Sequence, residues 1–319
     1  MKKSGRRIFL LLPAAFVLFQ CSSPSEEVYP IPEAVFSPTD IPNGLDEEIE
    51  INPEDPEVIL EALHMAYPGK IQSPELRDGD WSILVNGVVF YWAGGRLLPA
   101  EERMNTEQFI PYQFRPNPEE KPVVRDLSPE EKKQLEMFLE RKERHEDVRY
   151  DGFMTALWGM EDFITAENTV IRAEFLGHNI RIHPDIFEEL MNVEARILEA
   201  AQNDEDTALW LDELNSAGAY VWRDIAGSGN RSLHSWGIAV DLTPGDYRGK
   251  QAYWRWAADY NDEWWSIPYD RRYRIPDTVV AAFEDNGFIW GGKWLLFDQI
   301  HFEYRPELIL LGKLLTDDQ

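Results

Sequence analysis

The run 232–242, "SLHSWGIAVDL", places His234 and Asp241 seven positions apart inside an otherwise apolar segment. A carboxylate in such a run needs a partner that neutralises or binds it. In one extended strand, positions 234 and 241 face opposite sides, so both reach one site only if the backbone turns between them. Gly237 tolerates unusual dihedral angles and allows a turn within 235–237. We therefore expect His234 on a loop and Asp241 on the strand that follows, facing the same cleft.

A third metal ligand comes from the run "FDQIHFEYRP", where Asp298 precedes His301 by three positions. Two histidines and a carboxylate, with one position left open, form a ligand set for catalytic zinc. The same set also suits Fe(II), but its histidine and acid usually lie only two positions apart, which argues against iron here. An isolated histidine is more often a packed residue, and that structural role is expected for the other four: His64, His145, His178 and His183.

The two runs together resemble the M15 zinc peptidases. The first matches their S-x-H-x-x-G-x-A-x-D signature, and the second matches a signature with an acid three residues before the last histidine ligand. The family includes D-alanyl-D-alanine carboxypeptidases, D-Ala-D-Ala dipeptidases and phage L-alanyl-D-glutamate endopeptidases. The resemblance covers roughly residues 165–308. Within it, "GFIWGGKW" and "FLGHNIRIHPDIFEELMNVEARI" resemble the carboxypeptidase branch, whereas an aspartate at 298 is typical of the endopeptidase-like branch.

The resemblance implies Zn²⁺ held by His234, Asp241 and His301. It implies Asp298 as the general base, which takes a proton from the attacking water and passes it to the leaving amine. It also implies an arginine that stabilises the oxyanion. Arg223, which we expect to lie in a strand, fits this role best, and Arg231 is the alternative. Further motif positions, expected to shape the loop and the substrate pocket, are Ser232, Trp236 and Gly237.

The elements that must position these residues are short and mixed, which favours an α+β fold over a βαβ-wound sheet. The resemblance to the M15 peptidases implies a small antiparallel sheet with flanking helices that carries the zinc site, the M15/hedgehog-like core. Strands are predicted at "GAYVWR", "GIAVDLT" and "IHFEYR", and two more around Gly177. "FIWGGKW" is predicted as a loop, and helices are predicted from Pro184 and over "PDTVVAAFEDNG".

Upstream of about residue 150 the chain matches nothing that we can name. A short helix is predicted over 57–67, and a β-hairpin over 81–92 with Asn86-Gly87 as its two-residue turn. A charged surface helix is predicted from Ser128, its N-cap, to about 145. We therefore divide the chain after residue 57 into an N-terminal extension of unknown role, 58–150, and a peptidase domain, 151–319.

The N-terminal residues have the pattern of an export signal. Four basic residues precede an apolar run, 8–19, that is too short to span a membrane. Cleavage after residue 20 would leave Cys21 first, which resembles the start of a mature bacterial lipoprotein, followed by a Pro/Glu-rich tether up to residue 57. We expect an exported lipoprotein on the periplasmic face of a bacterial membrane or on the cell surface, held by a lipid on Cys21.

The net charge and the cysteine count limit which classes of partner and which covalent links are expected. The net charge is −27, which argues against nucleic acid as a partner. Cys21 is the only cysteine, so no disulfide forms within the chain.

The expected partners are peptidoglycan stem peptides and, through the lipid anchor, the membrane. The predicted function is D-alanyl-D-alanine carboxypeptidase-like hydrolysis. The alternatives are an L-alanyl-D-glutamate-type endopeptidase and a non-catalytic, zinc-containing wall-binding lipoprotein.

Overall fold

The computed structural model describes residues 55–112, 114–144, 148–225 and 228–317. The fold is α+β, with small antiparallel sheets and several helices, as the sequence predicts. The helices of the described residues are α1 (Pro56–Ala66), α2 (Pro129–Glu143), α3 (Gly152–Trp158), α4 (Phe163–Thr169), α5 (Phe187–Ala200), α6 (Glu205–Asp212), α7 (Trp254–Ala258), α8 (Asp277–Glu284) and α9 (Pro306–Asp317). The strands are β1 (Glu75–Arg77), β2 (Asp80–Val85), β3 (Val88–Ala93), β4 (Arg96–Leu98), β5 (Ile171–Phe175), β6 (His178–Ile182), β7 (Leu214–Gly218), β8 (Ala239–Pro244), β9 (Phe288–Trp290) and β10 (His301–Tyr304).

The N-terminal extension contains a four-stranded antiparallel sheet in the order β1-β2-β3-β4. The predicted hairpin is confirmed as β2 and β3. Strand β2 ends at Val85 and β3 begins at Val88, and these two residues lie opposite each other. Asn86 and Gly87 both have positive φ, 47° and 89°, as a two-residue turn between twisted strands requires. The predicted short helix is confirmed as α1, which Asp55 caps by accepting the Glu57 N–H.

The sheet that carries the predicted ligands has the order β7-β8-β10-β9 and is antiparallel throughout. Strand β10 lies inside this sheet between β8 and β9, so both of its edges are hydrogen-bonded. In the β8–β10 register, His301 lies opposite Asp241. The backbone pairing therefore brings together two residues that are sixty positions apart in the chain.

One hydrophobic core extends from the extension into the C-terminal part of the chain. It includes Ile59 and Leu63 of α1 as well as Phe283 of α8 and Phe302 of β10. The last two rings are stacked with centroids 3.9 Å apart. Burying such a side chain contributes about 1.5–3 kcal/mol. The shared core fixes the helices behind the site sheet and also anchors the extension to them.

The helix predicted from Ser128 is confirmed as α2. Ser128 and Glu131 form a capping box, in which each side chain accepts a backbone N–H of the other residue. The helix is not only a solvated surface helix, because Leu135 and Phe138 on one face are buried in a second core cluster with Trp254 and Phe297.

The prediction of a strand over "GAYVWR" is wrong. Strand β7 lies earlier, and the segment after Gly218 leaves the sheet to follow the His234 loop. The Val221 N–H donates to the His234 carbonyl, and the Arg223 carbonyl accepts the Ser232 N–H. These hydrogen bonds pair backbone groups of the segment although it is not a strand of the sheet. Two smaller differences are that "FIW" of the predicted loop is β9, and that a 3₁₀ turn at Pro184–Ile186 precedes α5.

The predicted export signal 1–20, Cys21 and nearly all of the tether lie outside the described residues. The end of the predicted tether differs slightly, because α1 already begins at Pro56. Within the described ranges, no helix is both long enough and apolar enough to cross a membrane.

Candidate metal centre

A short turn separates His234 from Asp241, as the odd spacing of the two residues requires. Residues Leu233–Trp236 form one 3₁₀ turn, and Ser232 caps it by accepting the His234 N–H. Gly237 ends the turn with φ 66°, and a Cβ on it would lie 2.7 Å from the His183 backbone nitrogen. Only glycine fits both the conformation and the close approach. Asp241 then follows on β8.

His234, Asp241 and His301 converge on one point, as predicted. One candidate ligand atom from each of them lies within 4.8 Å of the other two. His301 Nδ1 is 2.7 Å from Asp241 Oδ1, and His234 Nε2 is 3.2 Å from Asp241 Oδ2. All three side chains are buried, with exposed fractions of 3% or less.

The far nitrogen of each histidine ring is held by a neighbour, and this fixes which nitrogen faces the centre. His234 Nδ1 donates to the Ala219 carbonyl. His301 Nε2 donates to Glu303 Oε1 at 3.1 Å. The nitrogens that remain for a metal are His234 Nε2 and His301 Nδ1. A metal-ligating histidine usually has its other ring N–H bonded to a carboxylate or a carbonyl in this manner.

An orphaned atom at the centre supports a metal. His234 Nε2 is buried and has no hydrogen-bond partner in the part of the chain that the structure describes. Asp241 Oδ2 lies 3.2 Å away, but with the ring proton on Nδ1 both atoms are acceptors. A buried polar atom without a partner is costly. A cation placed between His234 Nε2 and the Asp241 carboxylate would satisfy it. Two imidazoles and one carboxylate match the donor set of catalytic zinc, which leaves a further position for water or substrate.

The charges at the centre are strongly coupled. Burial alone would raise the pKa of Asp241, but His234 and His301 together hold that pKa well below its usual range. Burial opposes protonation of His301, yet the carboxylates of Asp241 and Glu303 raise the pKa of its ring to about 9. A proton therefore occupies His301 near neutral pH when no metal does, and metal binding must displace it.

Asp298 lies beside the candidate metal centre but does not belong to the candidate ligand group. It follows the Gly291–Lys293 turn, and its backbone N–H donates to the Gly291 carbonyl. Asp298 Oδ1 accepts the Ile300 N–H at 3.3 Å. Asp298 Oδ2 is buried and has no hydrogen-bond partner among the described residues. Burial and the negative charge of Asp241 raise the pKa of Asp298 to about 7. A carboxyl group with such a pKa and a free oxygen suits proton transfer near neutral pH.

The two candidate arginines have different surroundings. Arg223 is half-buried, and its positive charge opposes the rise in the pKa of Asp298. Arg231 instead lies over the rings of Trp222 and Trp236, at 4.4 and 5.3 Å, with Asp151 at 3.9 Å. Arg223 therefore remains the arginine predicted for the oxyanion, although it lies in a loop and not in a strand.

The other predicted motif residues support the His234 loop from inside. Ser232 and Trp236 are buried with exposed fractions of 1% each. The Ser235 hydroxyl is bonded to the backbone of Arg223 on both sides, accepting its N–H and donating to its carbonyl. The loop that carries His234 is thereby joined to the segment that carries Arg223.

Sequence reasoning did not identify three residues that act on the site. Glu303 could have been found, because it lies two positions after His301 and so on the same face of a strand. Tyr247 and Tyr253 could not, since only the fold brings them close to Asp298. Burial raises the pKa of both hydroxyls above the ordinary range, and the charge of Asp298 adds to the effect.

Comparisons with known proteins agree with the motif analysis over part of the chain. Residues 226–304 match the family model described as D-alanyl-D-alanine carboxypeptidase, of the M15 peptidases. Residues 59–114 match a second family model, a domain of unknown function. No curated protein and no solved structure gives a significant match. The matched segment contains the turn with His234, strand β8, Asp298 and strand β10. The resemblance of this chain to the M15 peptidase family, which the two signatures indicated, is thereby confirmed over residues 226–304.

Proposed function

We propose that the protein is a zinc-dependent peptidase that hydrolyses D-amino-acid-containing bonds of peptidoglycan stem peptides, in the manner of a D-alanyl-D-alanine carboxypeptidase. The observation that carries the proposal is the buried convergence of His234, Asp241 and His301, with the orphaned His234 Nε2 facing the shared point. The family match over 226–304 supports a peptidase of this type.

Each group at the site has a distinct task. Zinc, when bound, would supply a Lewis acid that polarises the scissile carbonyl and lowers the pKa of water. Asp298 would accept a proton from the attacking water at its unpartnered Oδ2 and then donate it to the leaving amine. Arg223 would face the carbonyl oxygen as negative charge develops there, which is the usual source of oxyanion stabilisation.

Asp298 also favours catalysis over mere binding. Burial of a carboxylate oxygen without a partner costs stability, and a wall-binding module has no need for a base beside its metal. The non-catalytic alternative therefore leaves Asp298 without a role. The endopeptidase alternative keeps the same chemistry and differs only in which bond the cleft admits. The aspartate at 298 favours it, whereas "GFIWGGKW", the entry segment "FLGHNIRIHPDIFEELMNVEARI" and the family match favour the carboxypeptidase.

The substrate and location are proposed from the N-terminal sequence and the family resemblance. An export signal at 1–20 and a lipid on Cys21 would hold the enzyme at the periplasmic face of a membrane or on the cell surface. The tether would then let the catalytic part reach peptidoglycan. The acidic composition supports a substrate other than nucleic acid.

Mass spectrometry of defined muropeptides tests this proposal. Zinc-loaded protein would be incubated with pentapeptide, tetrapeptide and tripeptide stems, and with the same stems after addition of a chelator. Loss of one D-alanine from the pentapeptide supports the carboxypeptidase, and cleavage between L-alanine and D-glutamate supports the endopeptidase. Intact stems after incubation with protein of full zinc content would contradict catalysis and favour the wall-binding alternative.

A further inference from the structure

Buried polar side chains continue from the metal centre along β10 towards the N-terminal extension. His301 and Glu303 are two positions apart in β10 and so share one face of the strand, and Arg305 follows just after its end. Glu303 follows His301 on this face and accepts its Nε2–H at 3.1 Å. Both side chains are almost completely buried. The ring plane of His301 thus depends on where the Glu303 carboxylate is held.

Glu303 is itself held by the next charged residue. Its second oxygen, Oε2, is buried without a hydrogen bond to any described residue, and Arg305 Nη1 lies 4.0 Å from it. The Arg305 Nε–H donates to Glu307 Oε1. Arg305 therefore lies between the two carboxylates: it is hydrogen-bonded to Glu307 and forms an ion pair with Glu303 at 4.0 Å. Buried charges of this kind are stable only with their partners present.

The series of contacts that starts at His301 ends at Tyr67 of the N-terminal extension. The Tyr67 hydroxyl donates to Glu307 Oε2 at 2.6 Å, and both side chains are buried. Burial and the Glu307 carboxylate raise the pKa of Tyr67, so its hydroxyl stays a donor. Tyr67 is the C-terminal cap of α1, and its own N–H donates to the Leu63 carbonyl. The helix that begins the extension therefore holds the far end of the chain of contacts.

We propose that Glu303 is a positioning residue for His301, and that the N-terminal extension holds it in place through Tyr67. This inference rests on the proposed metal centre. It gives the segment matched by the domain of unknown function a role, which is to complete the outer support of a metal ligand in the C-terminal part of the chain. The extension then contributes to metal affinity even though none of its described residues belongs to the candidate ligand group.

Two matched variants of the full chain test the inference. Tyr67→Phe removes the hydroxyl that holds Glu307. Tyr112→Phe removes a hydroxyl from a ring of similar burial in the same extension, one that donates to the Tyr150 carbonyl at 2.9 Å. Both changes leave the ring in place. Tyr67→Phe should cost more stability, because its partner is a charged carboxylate and not a carbonyl, so zinc affinity is compared under conditions in which both variants are folded. A role that is only structural predicts the same small effect on metal binding from each.

The readout is zinc affinity measured by chelator competition, with the absorption spectrum of the cobalt(II)-loaded protein as a second measure of ligand geometry. Removal of a direct outer partner typically weakens metal binding about 10–100-fold, and we expect this for Glu303→Ala. Glu303→Gln keeps an acceptor for the His301 N–H and should restore part of the affinity. Tyr67→Phe acts on His301 only through Glu307, Arg305 and Glu303, so we expect a smaller loss of zinc affinity than for Glu303→Ala, about 3- to 10-fold, and an altered cobalt spectrum. Tyr112→Phe should change neither.

The possible outcomes separate this inference from the proposed function. Equal zinc affinity and equal cobalt spectra for Tyr67→Phe and Tyr112→Phe would overturn the inference, whatever the activity. Reduced affinity in Tyr67→Phe alone would support it, even if the protein cleaves no peptide. Absence of zinc binding by the wild-type chain would overturn both. If Glu303→Ala does not fold, the pair of tyrosine variants still decides the question.

Discussion

Asp241 and His301 lie opposite each other on neighbouring antiparallel strands, and their side chains meet with Oδ1 and Nδ1 2.7 Å apart. The strand register therefore builds two thirds of the candidate ligand set. A slip of one residue would turn one of the two side chains to the other face of the sheet. Pairing of β10 on both edges opposes such a slip. His234 then joins them from the turn before β8.

Substitution of the predicted base should separate catalysis from metal binding. Asp298→Ala leaves His234, Asp241 and His301 in place, so zinc content should be unchanged. Turnover should fall by about two to four orders of magnitude, the usual effect of losing a general base. Activity on stem peptides and zinc content would be measured on the same preparation. Full activity in the variant would show that another group takes the proton.

Substitution of a predicted ligand should abolish metal and activity together. His301→Ala removes one of three donors, and we expect zinc content after dialysis to fall far below one ion per chain. His178→Ala is the control, because this histidine starts β6 and lies outside the candidate ligand group. Zinc content measured by elemental analysis would be compared between the two. Zinc content in His301→Ala equal to that of the control would contradict the assigned centre.

The metal-free protein should lose stability as the pH rises. In the folded state the carboxylates of Asp241 and Glu303 raise the pKa of His301 from about 6.5 to about 9. A raised histidine pKa stabilises the fold fully below about pH 6.5, and this contribution disappears as the pH rises through about 9. The raised pKa of Asp298 acts in the same direction at lower pH.

Melting temperatures at pH 6 and pH 9.5, with a chelator and with excess zinc, test this expectation. The chelated protein should melt at a lower temperature at the higher pH. The zinc-loaded protein should show less of this change, because a metal replaces the proton between His301 and Asp241. A melting temperature of the chelated protein that does not fall across this range would contradict the assignment.

Gly237 should be intolerant of any side chain. Gly237→Ala places a methyl group 2.7 Å from the His183 nitrogen at φ 66°, whereas Gly177→Ala has φ 81° and no atom within 4 Å. The control should cost about 1–2 kcal/mol of unfolding free energy from its backbone conformation alone. Gly237→Ala should cost about 1–3 kcal/mol more, the usual penalty of overpacking. Denaturant unfolding of both variants would measure the difference, and equal costs would contradict it.

Anchoring should depend on Cys21. Cys21→Ala should move the protein from the membrane fraction to the soluble fraction, and the activity of the released protein should be unchanged. Fractionation followed by immunoblotting tests this. A variant that stays in the membrane fraction would mean that another part of the chain holds it there.

The sequence predicted the site better than the fold around it. Ionisable side chains in apolar runs marked His234, Asp241 and His301 as candidates, and the resemblance of the two runs to the M15 signatures made them a ligand set. Asn86-Gly87 specified its own turn. The strand at Leu214–Gly218 could not be identified, since "LNSAG" has little β propensity. It forms because β8 offers a partner. The proposed support of Glu303 by Tyr67 could not be predicted from the sequence either, because it joins residues more than two hundred positions apart.

The most direct test of the metal centre is a crystal structure of the zinc-loaded protein with anomalous data at the zinc edge. We predict one strong peak per chain, within about 2.0–2.2 Å of His234 Nε2, of an Asp241 oxygen and of His301 Nδ1. Glu303 should remain bonded to His301 Nε2. A peak located elsewhere, or none at this point in crystals of active protein, would contradict the central claim that these three residues bind the catalytic metal.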